Sequence, residues 1–196
     1  MKITKAEGKT REKLADKCDE AQNALASAIA EYNVALERTA AYAARIMLTP
    51  LDFSDDERTE IAFAVCTAAD AHSDAVNAYN DVMTEAKEFV EEVASRMREV
   101  YDGRSEKWQE GDKGQSADAF IQTWEDFSPD EESELDGNVA DEFERLPEPT
   151  GDAESDVDVD RGGWRAAWEE FGPSEADDPA EELADLLRDL PEESDE

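Results

Sequence analysis

The chain has one histidine, two cysteines and only 19 basic residues, against 54 acidic ones, in 196 positions. Each shortage excludes something. A lone histidine, His72, has no second histidine with which to share a metal, and no Ser-His-Asp or Cys-His arrangement is credible around it. Two cysteines, Cys18 and Cys66, with no apolar stretch behind the first residues MKITKAEGKTREK, make a reducing, cytoplasmic setting the expectation. No apolar run reaches membrane-spanning length, since the longest, AAYAARIML, contains Arg45. Basic stripes for nucleic acid are lacking, and a net charge of −35 repels nucleic acid and anionic membranes alike.

The charge that is present is graded. Residues 1–50 hold 7 acidic and 8 basic residues, whereas residues 151–196 hold 18 and 3. A salt-adapted protein would be acidic throughout. The near-neutral first quarter implies that the later part uses its charge for binding.

From Leu14, small and apolar residues recur at 4–3 spacing through Cys18, Ala21, Leu25, Ala28, Tyr32, Ala35, Thr39, Tyr42 and Ile46. This is a heptad seam, and Pro50 ends it. Ser54 and Glu57 then fit an S-x-x-E capping box. A second seam runs through Ile61, Val65, Ala68, His72, Ala75, Tyr79, Val82, Ala86, Phe89, Val93, Met97 and Val100. Two long helices with a short connection run antiparallel. The fold class expected is therefore all-α: a long, coiled-coil-like antiparallel helical hairpin over residues 1–112, with a possible homodimer through it. Folding near Pro50 sets His72 beside Tyr32 and Glu31, as a polar residue fixing register. The same folding keeps Cys18 and Cys66 apart.

Two stretches of the acidic part match. "FIQTWEDFSP" from Phe120 and "WRAAWEEFGP" from Trp164 align at a shift of 44, as do Leu146-Pro147-Glu148 and Leu190-Pro191-Glu192. No gap is needed, which identifies an internal duplication. The hairpin is thus followed by a duplicated module of short acidic helices: repeat 1 over 113–150, an acidic linker over 151–163 and repeat 2 over 164–196. Phe120, Trp124 and Phe127, then Trp164, Trp168 and Phe171, fall at i, i+4 and i+7 on one helix face. That spacing resembles the Phe-x-x-x-Trp-x-x-Leu motif of acidic transactivation segments, which implies a helix laid into an apolar groove. The opposing expectation is that the aromatics pack within the protein. In both, Glu125, Asp126, Glu169 and Glu170 face outward.

No catalytic, cofactor or metal site is expected. Gly8-Lys9-Thr10 lacks the earlier glycine of a phosphate loop, with Ile3 in its place. Asp156, Asp158 and Asp160 lack the glycine and glutamate positions of a calcium loop. In composition and size the chain resembles the acidic anti-restriction proteins of phages and plasmids. The resemblance implies a DNA mimic that inhibits a restriction, CRISPR or repair enzyme by covering its basic DNA-binding surface. The alternatives are an adaptor that fills apolar grooves with its aromatic helices and a charge chaperone for a basic protein.

Overall fold

The structure, a computed structural model, describes residues 1–48, 55–129, 176 and 183–193. These residues are all-α. The helices are α1 (Lys5–Leu48), α2 (Asp55–Asp102), α3 (Glu106–Gln109), α4 (Asp112–Glu125) and α5 (Leu183–Asp189). No strand occurs among them, only one isolated bridge between Lys2 and Glu193. The expected turn at Pro50, the Ser54 cap and the linker over 151–163 lie outside the described residues. No described helix is long and apolar enough to cross a membrane.

Packing divides the chain into two compact units. The first gathers Met1–Ala24, Asn77–Glu132 and Pro179–Glu196; the second gathers Leu25–Val76 and Ser133–Asp178. In the first, α1 opens with a capping box. Thr4 N–H donates to Glu7 Oε2 at 2.6 Å, and Glu7 N–H donates to Thr4 Oγ1 at 3.2 Å. Arg96 also donates to Glu7, at 2.7 and 3.0 Å, and Lys17 donates to Glu85 at 2.7 and 2.9 Å. A lower position on α1 meets a higher one on α2, so the helices run antiparallel here. Burial alone would raise the Glu7 carboxyl, but the bonds from Thr4 and Arg96 outweigh it and hold the pKa below its usual value.

In the second unit the pairing has the same sense. Arg45 pairs with Glu57, and Arg38 lies 3.6 Å from Glu60. The core joins Tyr32, Leu36 and Tyr42 of α1 to Ile61, Val65 and several alanines. His72 is buried, its ring 6.0 Å from that of Tyr32, the neighbour expected from the seams. Asn33 and Ala176 exchange two hydrogen bonds of 2.9 Å. Both cysteines are free. Burial, with the Asp19 charge adding to it, pushes the Cys18 thiol up to about 11.

On α1 the seam holds from Leu14 to Tyr42, with Ala21 half-buried; the Ile46 side chain is not described. On α2 it holds at Ile61, Val65, Ala68, His72, Tyr79, Ala86, Val93 and Met97, and only the alternate positions after His72 shift by one residue. Val76, Met83 and Val90 are buried where Ala75, Val82 and Phe89 were expected, and Val100 is exposed. The cause is geometric. A straight helix of 3.6 residues per turn drifts about 20° per heptad against a 3.5 repeat, and one extra 4-residue step restores the buried face.

Between α3 and α4 the chain reverses so tightly that Gly114 has no room for a side chain. A Cβ there would lie 2.3 Å from both the Trp108 and the Gln109 carbonyl oxygens. Gly114→Ala must therefore move backbone. It should cost about 1–3 kcal/mol, as overpacking does, read as a lower thermal midpoint with the α3–α4 amides exchanging faster. A wild-type midpoint would show that this corner is looser than described.

Candidate functional site

The α4 helix carries the first copy of the repeated motif. Its apolar positions 117, 120, 121 and 124 fall three and four apart, so they form one stripe. Gly111 sits at the N-cap, and α4 ends at Glu125, with Pro129 buried just beyond.

The stripe faces inward. Phe120 is buried and Trp124 is only 1% exposed. The Trp124 ring meets Phe89 of α2 edge-on, with centroids 6.4 Å apart. Its indole Nε1–H donates to the Pro191 carbonyl at 3.2 Å. Phe127 is half-buried. The first copy's aromatic face therefore belongs to the core of the first unit and is not displayed to a partner. Aromatic side chains carry too much apolar area to stay wet when α2 and the C-terminal segment are there to cover it.

The acidic positions of α4 divide. Glu125 accepts from Arg98 at 2.6 and 3.0 Å, and Asp118 accepts from Arg98 at 2.5 Å. These bonds raise the Arg98 pKa, with Glu125 contributing most. Glu125 is thus at the surface but already holds a cation. Asp126 is exposed. Trp164, Trp168, Glu169, Glu170 and Phe171 lie outside the described residues.

Two features escaped the sequence reading. The first is Arg11, whose side chain is 5% exposed. Its Nη1 donates to the Leu190 carbonyl at 2.6 Å, and its Nη2 donates to Glu192 at 2.8 Å. Ile3 N–H donates to the Glu192 carbonyl at 3.1 Å. Arg11, Ile3 and Trp124 together thus hold the second Leu-Pro-Glu through its three carbonyls. The repetition of that tripeptide was the available signal.

The second is a carboxylate face on α2. Asp81, Glu88, Glu92, Glu99 and Asp102 are all exposed, at spacings of 7, 4, 7 and 3. Those steps keep them within about 80° of one another around a helix of 100° per residue. None has an ion-pair partner among the described residues. Carboxylates that meet neighbouring elements behave otherwise, as Glu7 with Arg96 and Glu85 with Lys17 show.

Among the described residues no group of three or more His, Cys, Asp and Glu side chains is placed to hold a metal ion. The chain matches no protein-family model, no curated protein and no solved structure.

Proposed function

We propose that the protein is a non-enzymatic acidic binder that occupies the basic surface of a DNA-binding protein in place of DNA. The observation that carries this reading is the α2 face, where five exposed carboxylates stand in register without counter-ions among the described residues. Self-repulsion along such a face destabilises the compact state, and a basic partner relieves it. Residues 81–102 span about 32 Å of helix axis. One charge per ~6–8 Å is sparser than one DNA strand, with its phosphate every ~3.4 Å of axis. The rest of the imitation falls to the residues from Gly114 onward, with 30 acidic and 4 basic side chains. The adaptor reading loses support in the first copy, because Phe120 and Trp124 are covered at home.

The test neutralises the face itself. Asp81→Asn, Glu88→Gln, Glu92→Gln and Glu99→Gln are combined in one full-length variant. Glu125 is left intact, because it also holds Arg98. A basic DNA-binding partner captured by the wild type should be released by rising salt and by duplex DNA, since exposed charges are screened beyond about 8–10 Å. It should bind the variant more weakly and with a flatter salt dependence, at unchanged helicity. Unchanged affinity, or a partner that holds DNA and this protein together at full strength, would remove the mimicry.

A further inference from the structure

A cleft of about 670 Å³ lies in the first unit at the start of α1. Lys2, Lys5, Lys9 and Lys13 line it around Ile3, and Glu12 and Glu192 stand on its wall. Its volume is that of a small-molecule site, which is typically ~300–1,000 Å³. Four of the chain's 19 basic residues meet in this one cleft. That concentration needs a cause in a chain so short of positive charge.

Lys5, Lys9 and Lys13 recur every four residues and share a face of α1. The arrangement opposes the stability of the helix. Like charges at i, i+4 repel. Cations in the first turns oppose the helix dipole. The obvious compensation is pairing with a carboxylate, and none of the three has such a partner among the described residues. The two carboxylates of the cleft wall lean instead on Arg11, Glu192 at 2.8 Å and Glu12 at 3.4 Å. Lys2 of the cleft holds Glu193 at 3.1 Å, and Lys17, Arg96, Arg98 and Arg188 of this unit also hold carboxylates, whereas Lys87, Lys107 and Lys113 stand singly without one among the described residues. Residues that break several local rules without helping the fold mark a functional site.

We propose that this cleft binds a ligand carrying linked phosphate groups. A single small anion would meet one ammonium and would be repelled by the net charge of the whole chain. Successive lysines stand about 6 Å apart along the axis, and the outer two about 12 Å apart. Linked phosphates reach two or three of them at once. A terminal phosphate brings a charge near −2 and three strong acceptor oxygens, and lysine meets phosphate as a point charge. The Ile3 side chain and the lysine stems give the cleft an apolar floor for the rest of such a ligand. The site is independent of the α2 carboxylate face, and either can fail without the other.

The experiment titrates the full-length protein calorimetrically with tripolyphosphate and, separately, with a short single-stranded oligonucleotide. At low salt, one equivalent should bind saturably. Combining Lys5→Gln, Lys9→Gln and Lys13→Gln should weaken binding by roughly tenfold or more, while the matching Lys→Arg triple should retain it. Lys87→Gln, Lys107→Gln and Lys113→Gln together make the same change in net charge elsewhere in this unit, and should leave binding within about twofold. Saturable binding of tripolyphosphate alone would assign the site to a free polyphosphate. Binding of the oligonucleotide alone, lost in the same Gln triple, would assign it to a nucleic-acid backbone. No saturable binding of either probe, or equal loss in both Gln triples, would overturn the proposal.

Discussion

Trp124→Ala should destabilise the first unit by about 3–5 kcal/mol, the range for removing a large buried aromatic. Trp124 is 1% exposed, so its whole indole leaves water on folding. Three elements would face the resulting hole: α4 itself, α2 through Phe89, and the C-terminal segment through Pro191. The Pro191 carbonyl would also lose its indole donor. Trp124→Phe separates the two contributions, because it keeps most of the apolar body and loses the hydrogen bond. It should cost less, with about 0.5–1.5 kcal/mol coming from the bond. Native stabilities are about 5–15 kcal/mol, so the alanine variant gives up a large share. Hydrogen exchange on the full chain locates the damage, with faster exchange expected in α4 and α5 before the second unit responds. A loss below about 1 kcal/mol would mean that the ring does not hold this core together. The groove-binding reading of the aromatic helices would then return.

What was readable in advance divides by the range of the cause. The seams were readable because a buried helix face repeats within the helix itself, and Leu14, Leu25, Tyr32, Val65 and Met97 are all buried. The one-residue shift of the alternate positions after His72 was not, because it reflects drift accumulated against the neighbouring helix. The i, i+4 spacing of Phe120 and Trp124 marked a face but not its direction, which is decided by Phe89 and by Pro191, 67 residues beyond Trp124. Arg11 reads as one more charge on a charged helix; its partner Glu192 lies 181 positions away. Thr4-x-x-Glu7 fits the same capping-box rule as Ser54 and Glu57, so the start of α1 is legible in the sequence. The lysine cleft needed the fold, since Glu192 reaches its wall only when the C-terminal segment lies along α1.

Val65→Asp and Phe63→Asp should behave oppositely, although they lie two residues apart on α2 and each adds one negative charge. Apolar side-chain area alone ranks the phenylalanine as the graver loss. Position reverses that ranking. Phe63 is 71% exposed, while Val65 is fully buried in the core of the second unit, among Tyr32, Leu36, Ile61 and alanines. That core is rich in alanine, which buries little area, so each branched side chain carries a large share of its stability. Replacing Val65 removes about 1.5–3 kcal/mol of apolar burial. It also places a carboxylate in a core whose described members carry no cation, at several kcal/mol more. The second unit should lose its cooperative transition. Phe63→Asp should stay within about 0.5 kcal/mol of wild type. Acid provides an internal check. Burial raises the pKa of the introduced carboxyl above its unfolded value, so the folded state takes up the extra proton. The Val65→Asp defect should therefore be largest at neutral pH and shrink as pH falls through that raised pKa. Circular dichroism melts of the two variants at neutral and mildly acidic pH decide the matter. Equal melts at neutral pH would mean that Val65 does not sit in a closed core.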